Sequence, residues 1–227
     1  MTRQERIKEL QKDVGSYPDG IIGRDTITKF AKKYNKSIIQ AVHWFAQVHH
    51  ESGGFTIGRE NINYKTVKRI MEIFGARHSA KVTVNEAYGL VRNPYMLAER
   101  VYGLGNPRKA RELGNVKEGD GYKYRGGGGL QITGGGDYMN YGGMELYNCP
   151  DQIETSVYYF TTAIKEFDAK NIWRYGMQLR RSDILITSRV INIGNAKTKA
   201  TPNGLQDRIN KTVYYAGIMG LKVDLTK

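Results

Sequence analysis

Residues 37–52, SIIQAVHWFAQVHHES, constrain the fold more than any other stretch of this chain. At helical spacing Ile38, Val42, Phe45 and Val48 form one stripe, and Ile39, Ala41, Trp44 and Ala46 widen it. A surface that wide is buried only when other elements surround the helix, so it marks a central helix. Ser37 is placed to cap its start, and Gly53-Gly54 to stop it. The chain can supply the surroundings, with 227 residues of which 40% are hydrophobic and 11% aromatic. That composition belongs to a packed core rather than to disorder.

Other helical spacing lies on both sides of this helix. RQERIKELQKDVG carries Ile7, Leu10 and Val14 on one face, and RDTITKFAKKY carries Ile27, Phe30 and Tyr34, with a Pro-Asp-Gly turn between them. Further on, YKTVKRIMEIF, NPYMLAERVYG, residues 153–167, residues 182–191 and GLQDRINKTVYYAGIMG read as helices. Residues 104–137 read as a long loop holding most of the glycine surplus. Only YKYR and LQIT offer strand-like alternation. The fold class is therefore mainly α, with a small β element and one long glycine-rich loop around a cleft.

Composition narrows the partners. The single cysteine, Cys149, excludes an internal disulfide framework and a cysteine-based zinc site. MTRQERIKELQKDVG has no secretory signal pattern, and no run of eighteen apolar residues is present. The chain is expected to stay in the cytoplasm where it is made until something else releases it. A net charge of +13 points to anionic partners. The basic residues are scattered and match no nucleic-acid-binding signature, so nucleic acid is not expected as the main target.

Two glutamates stand out in HHESGGFTIGRENINY. Glu51 falls in the last turn of the central helix, at the edge of its buried face. There the negative helix end and apolar neighbours favour a protonated carboxyl, as a general acid needs. Glu60 lies past a glycine-broken loop in a polar segment, where a carboxylate is expected to be exposed and ionised. One carboxyl of each kind across a cleft is the arrangement for glycosidic bond hydrolysis. Spacing alone equally allows a surface glutamate before a helix cap at Glu51, and at Glu60 it favours a solvated loop glutamate.

His43, His49 and His50 do not make a metal pattern. Adjacent histidines diverge on a helix, and neither HExxH nor a supporting cysteine is present. YRGGGGLQITGGG lacks the GK[ST] ending of a phosphate loop. Its glycines let backbone approach a ligand closely, while Gln131 and Thr133 share one side and are placed to hold a water or a sugar hydroxyl.

The order QVHHESGGF, ENINY, NPYMLAERVYG, GDGYKYRG, GLQITG, INIG and NGLQDR resembles the family 19 glycoside hydrolases, and within them the phage endolysin branch, over about residues 37–220. The resemblance implies a lysozyme-like or chitinase-like helical domain with no metal and no cofactor. It implies Glu51 as general acid, Glu60 as general base and Thr133 as the residue that helps position the attacking water. Gln131 and Asn192 fall on substrate-binding positions, and His50, Tyr64, Tyr124 and Arg125 in the same motifs are further substrate-contact candidates. Gly127 and Gly129 depart from the family's YRGRGLIQ, Asp137 stands where an asparagine is common, and INIG replaces ING-G.

The expectation is thus a phage-type endolysin that hydrolyses β-1,4 bonds of bacterial peptidoglycan by an inverting two-carboxylate mechanism. Alternatives are a chitinase and a non-catalytic wall-binding protein, and the same domain also suits a hydrolase carried in the virion. Its partners are peptidoglycan and anionic wall or outer-membrane polymers, with a monomer as the default state. It would wait in the host cytoplasm until a separate membrane-permeabilising protein admits it to the wall. Residues 36–227 form the hydrolase domain. Residues 1–35, with DGIIG at their centre, resemble a reduced peptidoglycan-binding module with too few apolar side chains for a core of their own. They are expected to pack on the main domain, and their deletion to cost stability while leaving chemistry on a small soluble glycan much the same.

Overall fold

The computed structural model describes residues 1–226. It begins with α1 (Arg3–Val14), α2 (Arg24–Lys33) and α3 (Ile38–Glu51). Thr2 and Glu5 cap each other at the start of α1, and Gly15 ends it at a φ of 78° that disfavours a side chain. At the start of α3, Ser37 and Gln40 cap each other in the same way. Every residue from Ala41 to Val48 is buried, so the wide apolar surface of α3 is covered. Phe30 of α2 stacks on Trp44 at 4.4 Å. Ile7, Leu10, Ile27 and Phe30 lie in the same core as α3.

A second core forms where α4 (Val67–Phe74), α5 (Val84–Leu90) and α6 (Pro94–Val101) meet around Ile70, Phe74, Leu97 and Val101. The chain continues through α7 (Pro107–Leu113), α8 (Asp120–Lys123) and α9 (Gly135–Asn148). A third core of Tyr124, Ile132, Tyr138, Leu146 and Ile153 backs the glycine-rich segment. Then α10 (Ser156–Ala169), α11 (Arg181–Ile193) and α12 (Leu205–Ile218) return to α3. Phe160 of α10 packs on Trp44, and Tyr215 of α12 on Phe45 at 5.6 Å.

The mainly helical expectation holds. Strand pairing among the described residues amounts to isolated bridges, Arg59–Gly127, Gly127–Ile132 and Arg180–Asp224. YKYR is no strand: Tyr122 and Lys123 close α8, because the Asp120 carboxylate accepts Val116 N and Lys117 N and turns the chain there. Nor is 104–137 all loop. In α7 the Asn106 side chain accepts from Lys109 N, Pro107 takes the first helical position and Gly114 ends the helix at φ 68°. Helix α9 runs through GGDYMNYGG and breaks only at Gly143. Its glycines disfavour a helix locally, and burial of Tyr138, Tyr141 and Leu146 overrides them. No helix among the described residues is long and apolar enough to cross a membrane.

Candidate active site

Glu51 is the last residue of α3, and its carboxylate meets the guanidinium of Arg208, a residue of the first turns of α12 that is 1% exposed. All three guanidinium nitrogens are occupied. Nη2 donates to Glu51 Oε1, Nη1 to Gln47 Oε1 at 2.5 Å and Nε to Asn203 O at 3.0 Å. Gln47, one turn before Glu51, in turn donates to Ser188 of α11 at 3.1 Å. Three helices therefore fix one carboxylate through side chains. The isolation among apolar groups expected from the spacing gives way to a buried cation, which arrives from 157 residues further along the chain. His50 and Asn192 hold the approach to α12. The His50 ring bonds Asp207 at 2.6 Å and lies against Gly204, where an added Cβ would come within 2.2 Å of it. Asn192 Oδ1 accepts from Asn203 N at 2.9 Å.

Glu60 is held differently. Tyr102 OH donates to its Oε1 at 3.1 Å, Gly126 N approaches its Oε2 at 3.4 Å, and its own N–H donates to Gly126 O at 2.7 Å. The expectation of an exposed, freely ionised carboxylate is corrected. Glu60 is half-buried, and desolvation pushes its carboxyl above the usual range, with Tyr102, Gly126 and the Arg125 charge offsetting part of the rise. Burial and the Glu60 charge also push the Tyr102 hydroxyl well up, so it remains a donor at neutral pH. A carboxylate raised in this way is a stronger base once ionised.

The glycine-rich segment ties the two carboxylates together. It starts at Gly126 on Glu60 and reaches Gly129, where an added Cβ would lie 2.9 Å from Val48 Cγ1 and 3.0 Å from Tyr159 O. Val48 sits one turn before Glu51, so the segment runs from one carboxylate to the foot of the other. At Gly127 a Cβ would meet Tyr138 OH at 2.7 Å and Ile153 at 2.8 Å. No side chain fits at 127 or 129 here, which accounts for the departure from YRGRGLIQ. Gln131 Nε2 donates back to Gly128 O at 2.8 Å, and its Oε1 lies by Gly126. Thr133 is half-buried and its hydroxyl donates to Gln131 O at 3.0 Å. A cleft of about 550 Å³ opens beside Glu60, lined by Gln131, Asn61, Arg59, Gly58, Arg6 and Glu154 among others.

The remaining sequence candidates divide. Arg125 is half-buried, packs over the Tyr122 ring at 4.2 Å and lies within electrostatic reach of Glu60. Tyr64 is half-buried beside Phe74, and its hydroxyl is pushed up by burial first and by Glu60 second. Tyr124 is corrected to a core residue. It is 1% exposed, stacked on Tyr147 at 5.0 Å, and its hydroxyl donates to Tyr147 O. Among the described residues no three His, Cys, Asp or Glu side chains are grouped to hold a metal ion. His43 and His49 are structural, bonded to Gln178 O and to the Tyr215 hydroxyl. A second groove of about 500 Å³, walled by Leu90, Tyr95, Met96 and Leu104, contains none of the candidate residues.

Sequence reasoning missed Arg208, Gln47 and Tyr102. Two signals were available: a cation in the first turns of a helix, where the dipole disfavours it, and a polar glutamine inside an apolar stripe.

With the geometry in place, the likeness to known proteins carries weight. The chain is similar to a family 19 glycosyl hydrolase domain protein. That protein, from Haemophilus influenzae, is described as glycosyl hydrolase family 19 domain-containing and is 37% identical over 102 residues. The match covers 44% of this chain and 46% of the relative, so the chain spans about half the length of the curated protein it matches. No family profile matches the chain. The likeness supports family 19 and glycoside hydrolysis; it does not extend to a particular polymer.

Proposed function

We propose that this protein is a phage-type endolysin that hydrolyses β-1,4 bonds in the glycan strands of bacterial peptidoglycan with inversion. The observation that carries the reading is a pair of partly buried carboxylates on either side of one loop, Glu51 fixed by the Arg208 guanidinium and Glu60 by Tyr102 and Gly126 beside the cleft. The likeness to a family 19 domain supports the reaction class.

In this reading Arg208 fixes Glu51 Oε1, leaving Oε2 to deliver a proton to the leaving oxygen. Glu60, made more basic by burial, takes a proton from a water that the Thr133 hydroxyl helps to place. Gln131 and Asn61 line the cleft that the sugar would enter, and the Arg125 charge acts on Glu60 beside it. Carboxyls carry both proton steps, so the mechanism calls on no metal or cofactor. The protein would act as a monomer, held in the host cytoplasm until a separate membrane-permeabilising protein admits it to the wall. Its positive charge would draw it to anionic wall polymers.

Mass analysis of products from purified sacculi tests the bond, and early-time NMR of the product anomer tests inversion. Muropeptides with a free reducing muramic acid and inverted anomer are expected. Products from chitin oligomers alone would make the protein a chitinase, and retained anomers would overturn the mechanism. Glu51→Gln and Glu60→Gln should each remove activity by roughly 10²- to 10⁴-fold. Wall binding without cleavage by the wild type would make it a binding protein.

A further inference from the structure

The segment between the two glutamates, residues 52–59, is bound from outside by α1. Arg6 is 2% exposed and its Nη1 donates to two consecutive carbonyls, Phe55 O at 3.0 Å and Thr56 O at 2.9 Å. Arg3 Nε donates to the preceding Gly54 O at 3.1 Å. The Arg6 guanidinium lies 4.8 Å over the Tyr159 ring and reaches toward Glu154 at 3.8 Å. Three successive carbonyls of one loop are thus taken by two arginines of a single helix.

That loop stores strain. Phe55 has a φ of 66°, a left-handed conformation that a bulky side chain adopts only when its surroundings force it, at about 1–3 kcal/mol. Its ring is fully buried against Phe160 and His49, and its carbonyl is one of the two that Arg6 holds. Beyond it, Gly58 O accepts from Gly128 N at 2.9 Å, which joins the loop to the glycine segment. The loop therefore sets where Glu60 stands relative to the end of α3, and Arg6 fixes the loop.

The geometry points to Arg6 as a positioning residue of the catalytic centre, with α1 a working part of the active site rather than a detachable wall-binding module. The inference rests on Glu51 and Glu60 being the acid and base. It reverses the expectation that removing residues 1–35 would leave the chemistry intact. A displacement of about 1 Å between reacting groups can cost on the order of a hundredfold in rate, so loosening this loop acts on turnover before it acts on binding.

Gly58→Ala is the cleanest probe. The new Cβ would lie 2.4 Å from Arg6 Nη2 and 2.6 Å from Glu154 Oε2, both ends of flexible side chains, so the fold survives while the guanidinium is pushed off its carbonyls. Arg6→Gln is the companion, since it leaves the cleft wall at Gly58 unchanged. On soluble peptidoglycan oligosaccharides both variants should lose roughly 10- to 100-fold in kcat, with KM within about twofold and thermal unfolding still cooperative. Amide exchange at Thr56 and Ile57 should quicken in both. Full kcat in two folded variants would overturn the proposal, as would activity loss that merely follows loss of folded protein. If the wild type cleaves no glycan, the functional reading fails, but the exchange measurement still decides whether Arg6 holds the loop: unchanged protection would sink it.

Discussion

The surroundings of Glu51 and of Glu60 solve the same problem with different materials. Around Glu51 the positioning is done by side chains from three helices, Arg208, Gln47 and Ser188, in a closed chain of hydrogen bonds. Around Glu60, apart from the Tyr102 hydroxyl, it is done by backbone and by missing side chains, with Gly126 bonded to the carboxylate and Gly127 and Gly129 packed too tightly to carry a Cβ. A side-chain relay fails when a charge is removed; a glycine-built one fails when a methyl is added. The two halves of the site should therefore break under opposite kinds of substitution.

The largest effect is expected on the helical side. Arg208→Ala strands Glu51, Gln47 Oε1 and Asn203 O together, and breaking a buried ion pair costs about 3–5 kcal/mol. Denaturant unfolding should show that loss, and Glu51→Gln in the same background should recover part of it. If Arg208→Ala is neutral, the relay does not hold the carboxylate. On the glycine side, Gly129→Ala should cost about 1–3 kcal/mol by overpacking against Val48 and the Tyr159 carbonyl. It should also lower activity, whereas an equal addition at Gly143, with open space around it but a φ of 74°, should act through backbone strain alone. Equal activity losses at both positions would blur the contrast.

The smallest effect is the most diagnostic of roles. Tyr102→Phe removes a donor that favours ionised Glu60, so the Glu60 carboxyl should rise further. If Glu60 is the base, activity needs it ionised, and the acid limb of the pH–rate profile moves to higher pH. If Glu60 were the acid, the alkaline limb would move up instead, and the roles of the two glutamates would exchange. Measuring kcat/KM against pH on a soluble glycan separates the two outcomes.

The sequence shows its helices unevenly, for physical reasons. Helix α3 is plain because its burial is written in a continuous stripe from Ile38 to Val48. Helix α9 is hidden because Tyr138, Tyr141 and Leu146 act through tertiary packing that overrides four local glycines. Helix α5 had a legible start in Thr83 and Glu86, which cap each other, but its apolar face is too short to register. At the site, the carboxylates stand out by position along α3 and its following loop. Their environments do not, since Arg208 reaches Glu51 from a distant helix and Glu60 is met by Tyr102, just past α6, and by the glycine segment.

One consequence of the Glu51–Arg208 pairing concerns the birth of the protein. During synthesis α3 emerges early, while the cation that Glu51 needs lies 157 residues downstream. At roughly 5–20 residues per second, the ribosome takes on the order of ten to thirty seconds to cover that interval. Trp44 also waits for Phe160 of α10 and Phe45 for Tyr215 of α12, so the nascent chain carries a partly uncovered apolar helix and an unpaired carboxylate together. Completion of α12 supplies Tyr215 and Arg208 together. If Glu51 is a catalytic carboxylate, its setting is complete only once that helix has left the exit tunnel.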